Sequence, residues 1–301
     1  MAFHADQLTL AATAADPADR RASLFRESFR GMLERWALGT AWALTPARLR
    51  GVPPLLGMVL ADGMAPDYAL PDPESALEKP AGLCGVVHDL SVPTLLNAYR
   101  RGIYPWAHVG PLKWWSPPQR SVLFFNEYHI AKRLRRQMRQ GQYTVTFDRD
   151  FEGVITACAA PREGRFHLTW ITPRIMRAYA ELFDAGHAHS FEVWNAAGEL
   201  AGGGYGVALG GMFVTESQFS RETNTSKIGM TVLNWHLAQW GFGFNDGKLM
   251  TPTCRDMGFR EIPRRDFLDV LARAQRPPSK LGRWSLEEEL GKIAEWQPEK
   301  A

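Results

Sequence analysis

Apolar residues and glycines alternate most regularly between residues 202 and 220, which read GGGYGVALGGMFVTESQFS. Large apolar residues recur on both sides of the pair Gly210-Gly211, and the second half carries one carboxylate, Glu216. Paired glycines supply the positive φ that a tight hairpin needs, so this stretch predicts two strands joined at Gly210-Gly211. Glycine inside a strand costs stability. Its crowding therefore indicates either the close approach of backbone or ligand, or a glycine-rich hairpin without a ligand.

Strand-like runs and helical periodicities surround this hairpin. The strand-like runs are SVLFF (121–125), YTVTF (143–147), SFEVW (190–194) and FGFND (242–246). Apolar positions three or four residues apart predict helices over 91–101, 129–140, 173–186, 224–240 and 264–274. A strand followed by a helix and another strand implies a crossover connection. The pattern therefore predicts an α/β (α+β) fold with a mixed sheet and flanking helices.

The two ends of the chain have patterns of their own. Residues 1 to about 20 form an alanine-rich leader, and helical spacing follows over residues 24–36. Six prolines between residues 51 and 80 favour an irregular linker there. Near the C-terminus, Ser285 and Glu288 have capping-box spacing, which predicts a last helix from Ser285.

Composition places the chain among globular proteins. Of the 301 residues, 45% are hydrophobic and 22% are charged, and the longest apolar runs are too short to span a bilayer. The N-terminus lacks the basic and apolar regions of a secretory signal, so we expect a cytoplasmic protein without a membrane partner. Three separated cysteines indicate neither a disulfide framework nor a zinc site.

The net charge of +3 is small, but cations concentrate in one segment, HIAKRLRRQMRQ (129–140). As a helix, this segment directs Ile130, Leu134 and Met138 to the core and its cations outwards. The outward cations are Lys132, Arg133, Arg135, Arg136 and Arg139. Such a face either contacts a phosphate backbone or is a solvated helix surface.

Common catalytic motifs are absent from the sequence, including GxSxG, GxxxxGK[ST] and HExxH. His187 and His189 form the only close histidine pair, and no third metal ligand lies near them in sequence. Two carboxylates, Glu216 and Asp246, close presumed strands. A carboxylate that ends an apolar strand is costly to bury without a partner, so each is a candidate for a functional pocket. Lys248 lies two residues after Asp246, and a purely structural Asp246–Lys248 pair is the alternative.

Longer motifs carry a resemblance to a known family. They are AYRRGIYPW (98–106), WWSPPQR (114–120), TWIT (169–172), AYAELFDAGHAHSFEVW (178–194), the glycine-rich hairpin, TSK (225–227) and EIPRRDFL (261–268). In this order and spacing, from about Leu70 to Leu271, the chain resembles leucyl/phenylalanyl-tRNA-protein transferases.

The resemblance implies a small N-terminal domain and a C-terminal domain of the N-acetyltransferase-like (GNAT) fold. It divides the chain into an extension (1–68), a small domain with the basic helix (69–142), a GNAT-like domain (143–275) and a helical tail (276–301). It also implies transfer of leucine, phenylalanine or methionine from an aminoacyl-tRNA to the N-terminal amine of a protein, which marks that protein for degradation. The expected partners are an aminoacyl-tRNA and an acceptor protein N-terminus or another amine, with no metal and no organic cofactor.

The resemblance also assigns roles to individual residues. Asp246 matches the family's catalytic acid, and Glu216 matches a glutamate on the acceptor side. Substrate-binding positions match Trp106, Arg120, Trp170, Gly204, Phe213, Leu233 and Asn245, with Phe213 and Leu233 as walls of the amino-acid pocket. The basic helix matches a region suited to the tRNA backbone.

Several positions depart from the family pattern. Lys248 replaces a relay glutamine, so an amide that donates and accepts becomes a group that only donates when charged. A cation there would repel an acceptor that begins with Lys or Arg. Gly204 replaces a large apolar residue and is expected to enlarge the amino-acid pocket, while Asn245 is expected to add an amide that lacks partners. Thr251-Pro252-Thr253 replaces an Asn-x-His pattern.

These departures leave three functions open. The chain is expected to be the default transferase with a shifted donor or acceptor, a transferase that acts on a small molecule or a non-cationic peptide, or an inactive module that binds tRNA or a protein terminus.

Overall fold

The computed structural model describes residues 17–45, 49, 51–63, 69–106, 110–161 and 168–298. Most of the predicted leader, residues 1–16, lies outside the described residues. The first helices are α1 (Pro17–Leu24), α2 (Phe29–Ala43) and α3 (Val52–Gly63). They are followed by β1 (Leu83–Val86), α4 (Val92–Arg100), β2 (Tyr104–Trp106), β3 (Lys113–Trp115), β4 (Gln119–Phe124), α5 (Lys132–Arg139), β5 (Thr144–Phe147), α6 (Phe151–Ala159) and α7 (Pro173–Asp184). The remaining elements are β6 (Ala188–Trp194), β7 (Leu200–Leu209), β8 (Met212–Ser220), α8 (Thr225–Gln239), β9 (Phe244–Lys248), α9 (Pro252–Asp256), β10 (Arg260–Pro263), α10 (Arg264–Ala274) and α11 (Leu290–Ile293).

Seven strands form one mixed sheet in the order β10-β4-β9-β8-β7-β6-β5. Neighbouring strands are antiparallel except β8 and β9, which are parallel and joined by the crossover helix α8. A second, three-stranded sheet has the order β1-β3-β2. The predicted mixed α/β fold, with flanking helices and an additional N-terminal region, is therefore confirmed.

The predicted glycine-rich hairpin forms as β7 and β8, whose end residues Leu209 and Met212 pair across the turn. Gly210 has a φ of 55°, a value that favours glycine. Within β7, a Cβ atom at Gly202 would lie 2.3 Å from Thr225 Oγ1 at the start of α8. At Gly202, the glycine is therefore explained by the close packing of a helix on the strand.

Two hydrophobic clusters cover the two faces of the large sheet. One contains residues of α4, α6 and α7 with Tyr205, Val207 and Val214. The other contains residues of α5 and α8 with Phe191 and Phe213. Alternate residues of a strand point to opposite faces. On β8, Met212 and Val214 therefore lie on the α4/α7 face and Phe213 lies on the α8 face. Glu216, where the β7–β8 register shifts, is on the α4/α7 face, because it contacts Tyr99.

Three expectations for the ends of the chain were wrong. Residues 52–63, predicted as an irregular linker, form helix α3, because Pro53 and Pro54 lie in its first turn, where proline is tolerated. The helix expected over 24–36 is split, since Ser28 caps α2 through a hydrogen bond from the Gly31 N–H. The last helix begins at Leu290, although the capping-box spacing pointed to Ser285. Helix α6, capped by Asp150, had not been predicted.

The predicted boundaries at residues 68, 142 and 275 stay predictions. Strand β4, on the N-terminal side of residue 142, pairs with β9 and β10 inside the seven-stranded sheet. The extension is tied to the large sheet's helices by Arg21, which pairs with Glu152 and Asp184.

The C-terminal tail is anchored on the neutral form of a buried histidine. His236 Nδ1 donates to the Val232 carbonyl at 2.8 Å, so Nε2 is left to accept the Glu287 N–H at 3.0 Å. Burial lowers the pKa of His236 below its ordinary value of 6.5, although Glu287 and Glu288 oppose this shift. Protonation would turn Nε2 into a donor facing another donor.

This histidine predicts a loss of stability in acid. Because the folded-state pKa is lowered, the stabilisation by neutral His236 is complete above pH 6.5 and is lost as the pH falls through the folded-state pKa. Urea unfolding at about pH 7.5 and about pH 5 should therefore show a smaller pH-dependent loss in His236→Phe than in the wild type. Replacement of exposed His129 by Asn should keep the full loss. An equal loss in His236→Phe and the wild type would contradict this anchor.

Candidate active site

The site lies where two parallel strands separate. Strand β8 pairs with β9 only from Met212 to Val214, opposite Phe244 to Asp246. Beyond that point β8 continues along β7 to Ser220, and β9 continues along β4. Glu216 and Lys248 each lie two residues after the last paired residues, Val214 and Asp246. The sequence thus places a carboxylate and an amine on opposite sides of the gap between the strands.

Arg120 of β4 and Asp246 of β9 form a buried ion pair. Arg120 Nε and Nη2 donate to the two carboxylate oxygens of Asp246 at 2.8 and 2.6 Å. Arg120 Nη1 also donates to the Gly102 carbonyl at 3.2 Å. The two side chains are 2% and 0% exposed, so each neutralises a charge that could not be buried alone. Burial acts to lower the pKa of Arg120, but Asp246 outweighs this effect and raises it.

Lys248 does not form the expected side-chain pair with Asp246. The β4–β9 register shifts between Ser121 and Val122, opposite Gly247, and Lys248 has a φ of 63°. Lys248 and Asp246 still lie on the same face as predicted, because Lys248 Nζ and Arg120, the partner of Asp246, both contact the Tyr104 ring. The Lys248 side chain nevertheless has a different carboxylate as its partner. Only the Lys248 backbone N–H contacts Asp246, donating to Oδ1 at 2.8 Å.

The Lys248 side chain instead crosses the gap to Glu216 on β8. Its Nζ donates to Glu216 Oε2 at 2.7 Å, and the carbonyl of Glu216 lies at 3.4 Å. The other carboxylate oxygen of Glu216 accepts the Tyr99 hydroxyl at 2.8 Å. Since Tyr99 uses its hydrogen on Glu216, the buried Tyr179 hydroxyl donates to Tyr99. Burial and the Glu216 charge raise the pKa of both phenols well above 10, so both remain donors at neutral pH.

Aromatic rings surround the two cations. Arg120 lies 4.9 Å and Lys248 Nζ 5.3 Å from the ring centroid of Tyr104. Lys248 Nζ also lies 5.4 Å from the ring of Trp170. Tyr99 and Tyr104 belong to the motif AYRRGIYPW, which by itself indicates no role for either residue. A buried tyrosine hydroxyl needs a partner, and that requirement was the signal that marks Tyr99.

Three other predicted residues lie on the opposite face of the sheet. Phe213 and Leu233 are buried in the cluster under α8, 1% exposed each. The side chain of Asn245 is also fully buried, and its amide has partners. It donates to Asn234 Oδ1 at 2.9 Å and accepts from the Thr215 hydroxyl at 2.8 Å. The expectation of an amide lacking partners was therefore wrong.

Gly204 does not enlarge a pocket as predicted. A Cβ atom there would lie 2.6 Å from the ring of Phe191, and a Cβ atom at Gly229 would lie 2.3 Å from the same ring. Phe191 is 1% exposed and fills the space between the two glycines. The missing side chain at Gly204 thus makes room for a core phenylalanine.

Trp106 and Trp170 lie at the half-buried edge of the site. Trp106 packs edge-on against Trp115, with ring centroids 5.7 Å apart. Trp170 lines a cavity of about 360 Å³. Glu27 and Arg35 line the same cavity, so the N-terminal extension contributes to the surface next to the site.

The basic helix forms as α5 but begins at Lys132, later than predicted; Leu134 and Met138 of the helix and Ile130 just before it are buried as predicted. Two of its five cations contact the C-terminal tail. Arg135 donates to the Ala294 carbonyl, and Arg139 pairs with Glu295. Lys132, Arg133 and Arg136 are exposed. The cationic face is therefore narrower than the sequence suggested.

Possible metal ligands do not cluster in the described part of the chain, where no group of three His, Cys, Asp or Glu side chains could hold an ion. His189 instead stacks on Trp284 with ring centroids 3.5 Å apart and contacts Asp148 through Nδ1 at 2.8 Å. Among the described helices, none is long and apolar enough to cross a membrane.

This mixed sheet, with its flanking helices and a charged site at the point where β8 and β9 separate, has the architecture expected of a GNAT-like transferase. The model of the family Leucyl/phenylalanyl-tRNA protein transferase matches residues 122–272, and the model of that family's N-terminal domain matches residues 88–118. The chain belongs to the leucyl/phenylalanyl-tRNA-protein transferase family.

Relatives carry the same family name, Leucyl/phenylalanyl-tRNA--protein transferase. The chain is 48% identical over 210 residues to the protein of Pseudomonas syringae pv. syringae, which covers 69% of this chain and 91% of the relative. It is 44% identical over 230 residues to the protein of Alkalilimnicola ehrlichii, covering 76% and 89%. It is also 44% identical over 218 residues to the protein of Thiobacillus denitrificans, covering 72% and 95%.

The Arg120–Asp246 pair predicts a non-additive stability effect. Arg120→Met leaves Asp246 buried without its guanidinium and should lower the free energy of unfolding by about 3–5 kcal/mol. Adding Asp246→Leu to this variant removes the unpaired buried charge. The free energy of unfolding should therefore fall less in the double variant than in Arg120→Met. Urea unfolding measures both.

The exposed pair of Lys227 and Asp256 is the control, because Lys227→Ala should cost no more than about 1 kcal/mol. A double variant at least as unstable as Arg120→Met would show that Asp246 does not depend on Arg120.

Proposed function

We propose that this protein transfers leucine or phenylalanine, and by the family's default also methionine, from an aminoacyl-tRNA to the N-terminal amine of a protein in the cytoplasm. The transferred residue would mark the acceptor protein for degradation. Family membership supports the proposal, since relatives at 44–48% identity carry the transferase name. The structural observation that most directly supports the proposed function is the charged site in the gap between β8 and β9. This site lies inside the region that the family model matches.

The reaction is the aminolysis of an ester. The acceptor nitrogen forms a bond to the aminoacyl carbonyl carbon, and the bond from that carbon to the ribose oxygen breaks. The proton lost by the nitrogen ends on the ribose oxygen, which becomes the tRNA hydroxyl. Because the ester is already activated, this chemistry requires no metal or organic cofactor. The protein has to orient the two substrates, assist the proton's transfer and stabilise the developing oxyanion.

Different roles follow for the four buried charged residues. The oxygens of Asp246 already accept three N–H donors, so we assign Asp246 a positioning role through Arg120 and the Lys248 backbone. Glu216 and Lys248 lie beyond the paired part of the strands, and the Lys248 side chain is 11% exposed against 0–2% for the other three. We therefore assign this pair to the acceptor amine.

The remaining predicted residues divide between the donor side and the support of the sheet. Trp106 and Trp170, at the half-buried edge, are proposed to contact the aminoacyl-adenosine end of the tRNA. Phe213, Leu233, Asn245 and Gly204 support the sheet from its other face. The exposed cations of α5 are proposed to contact the tRNA backbone.

Transfer is measured with radiolabelled Leu-tRNA and Phe-tRNA and peptides that differ in their first residue. We expect labelled peptide from one or both donors. Glu216→Gln should slow transfer by about 10²-fold or more, the magnitude typical of losing a group that assists proton transfer. Glu192→Gln is the matched control, because Glu192 is an equally buried carboxylate of the same sheet, outside the site. Retained tRNA binding without transfer to any peptide would show an inactive binding module.

The three exposed cations of α5 predict a specific salt dependence of tRNA binding. Replacing Lys132, Arg133 and Arg136 by Ala should weaken binding and reduce the slope of log K against log salt by about two to three. Replacing Arg139, which pairs with Glu295, should change the slope less. Binding titrations at several salt concentrations measure both. An unchanged slope in the triple variant would remove α5 from the tRNA surface.

A further inference from the structure

Lys248 has the surroundings of a bound cationic ligand. Its ammonium group contacts the Glu216 carboxylate at 2.7 Å and lies 5.3 and 5.4 Å from the ring centroids of Tyr104 and Trp170. A carboxylate combined with aromatic rings within about 6 Å is how proteins recognise alkylammonium groups. In this protein the alkylammonium group is the side chain of Lys248, not a bound ligand.

The Lys248 backbone is held in place for this contact. Its φ of 63° is uncommon for a residue other than glycine, asparagine or aspartate. The backbone N–H donates to Asp246, which is itself held by Arg120. The side chain therefore reaches from β9 to β8 from a constrained backbone, unlike a mobile surface lysine.

The charges of the site are balanced without any substrate. Asp246 is neutralised by Arg120, and Glu216 is neutralised by Lys248 and also accepts the Tyr99 hydroxyl. The four side chains are 0–11% exposed, so solvent screens them poorly. A further cation entering the gap would meet no uncompensated carboxylate among these residues and would lie close to the Lys248 ammonium.

We propose that Lys248 fills a cation-binding site made by Glu216, Tyr104 and Trp170, and that the acceptor therefore presents a neutral side chain at its first residue. The acceptor part of this proposal rests on the proposed function, whereas the cation site does not. It follows that an acceptor beginning with a neutral residue should be preferred to one beginning with Arg or Lys. A discrimination of about tenfold or more is expected from one uncompensated charge near a poorly screened cation.

The cation site is tested without any transfer reaction. Lys248→Ala removes a fragment of three carbons and one nitrogen beyond Cβ, which n-propylammonium reproduces. Propylammonium chloride should raise the melting temperature of Lys248→Ala, while n-propanol and sodium chloride at equal concentration should not. In the wild type, propylammonium chloride should raise the melting temperature no more than n-propanol or sodium chloride does. Lys280→Ala is the matched control, because Lys280 lies 4.5 Å from the ring of Trp240, outside the site.

Two further variants keep the cation test decisive. Lys248→Gly vacates the same space and suits the backbone φ of 63°, so calorimetry with propylammonium can use it where Lys248→Ala does not fold. Adding Trp170→Ala to either variant should abolish the effect. No preference for propylammonium over propanol in both Lys248 variants, or an equal effect in the wild type, would overturn the cation site.

The acceptor class is tested on the wild type with peptides that differ only in a first residue of Arg, Lys, Gln or Met. We expect the Gln and Met peptides to be labelled at least about tenfold faster, and Lys248→Gln to shift the ratio toward Arg and Lys. Equal or faster labelling of the Arg and Lys peptides by the wild type would overturn the acceptor proposal. Failure to label any peptide, with cation binding intact, would overturn the proposed function while leaving the cation site standing.

Discussion

Arg120 and Asp246 lie together in the interior, where neither charge would be stable without the other. Their pair joins β4 to β9 on the face that carries the site, and Asp246 also binds the backbone of Lys248. The direction of the Lys248 side chain, and hence its contact with Glu216 across the gap, depends on this pair. In the proposed function, this ion pair positions the groups on both sides of the gap.

The sheet supplies the second constraint. Strands β8 and β9, which the crossover helix α8 connects, pair only as far as Val214 and Asp246, and they separate beyond these residues. This separation creates the gap that Lys248 crosses to reach Glu216. The face under α8 is filled by side chains, including Phe191 against Gly204 and Gly229. The opposite face carries the tyrosines and charges. Hydrophobic clusters thus pack both faces of the sheet, and the α4/α7 face also carries the charged residues of the site.

Periodicity and turn chemistry were sufficient to predict most central elements, because strands and helices there bury one regular face. The hairpin at Gly210-Gly211, the crossover through α8 and the buried side of α5 followed from residue spacing alone. Helix α3 was missed because prolines in a first turn look the same in sequence as prolines in a loop. The motifs also located the charged residues of the site.

What the sequence could not predict was which charged groups pair with each other. Lys248 lies on the same face as Asp246, as the spacing predicted, but Arg120 of β4 pairs with Asp246 and Glu216 of β8 pairs with Lys248. Which strands are neighbours in the sheet leaves no signal in a pattern of period two. The space at Gly204 was misassigned for a related reason. Its neighbour Phe191 is 13 residues away in sequence, and only the register of β6 and β7 brings the two together.

In this structure the Lys248 ammonium is held by Glu216 rather than solvated. Nuclear magnetic resonance of ¹⁵N-labelled lysine side chains tests it directly, because an ammonium held in an ion pair exchanges its hydrogens with water slowly enough to be observed. We expect one such protected signal at neutral pH that is absent in Lys248→Gln and lost to fast exchange in Glu216→Gln. A Lys248 signal that exchanges as fast as those of exposed lysines in the wild type would contradict the claim.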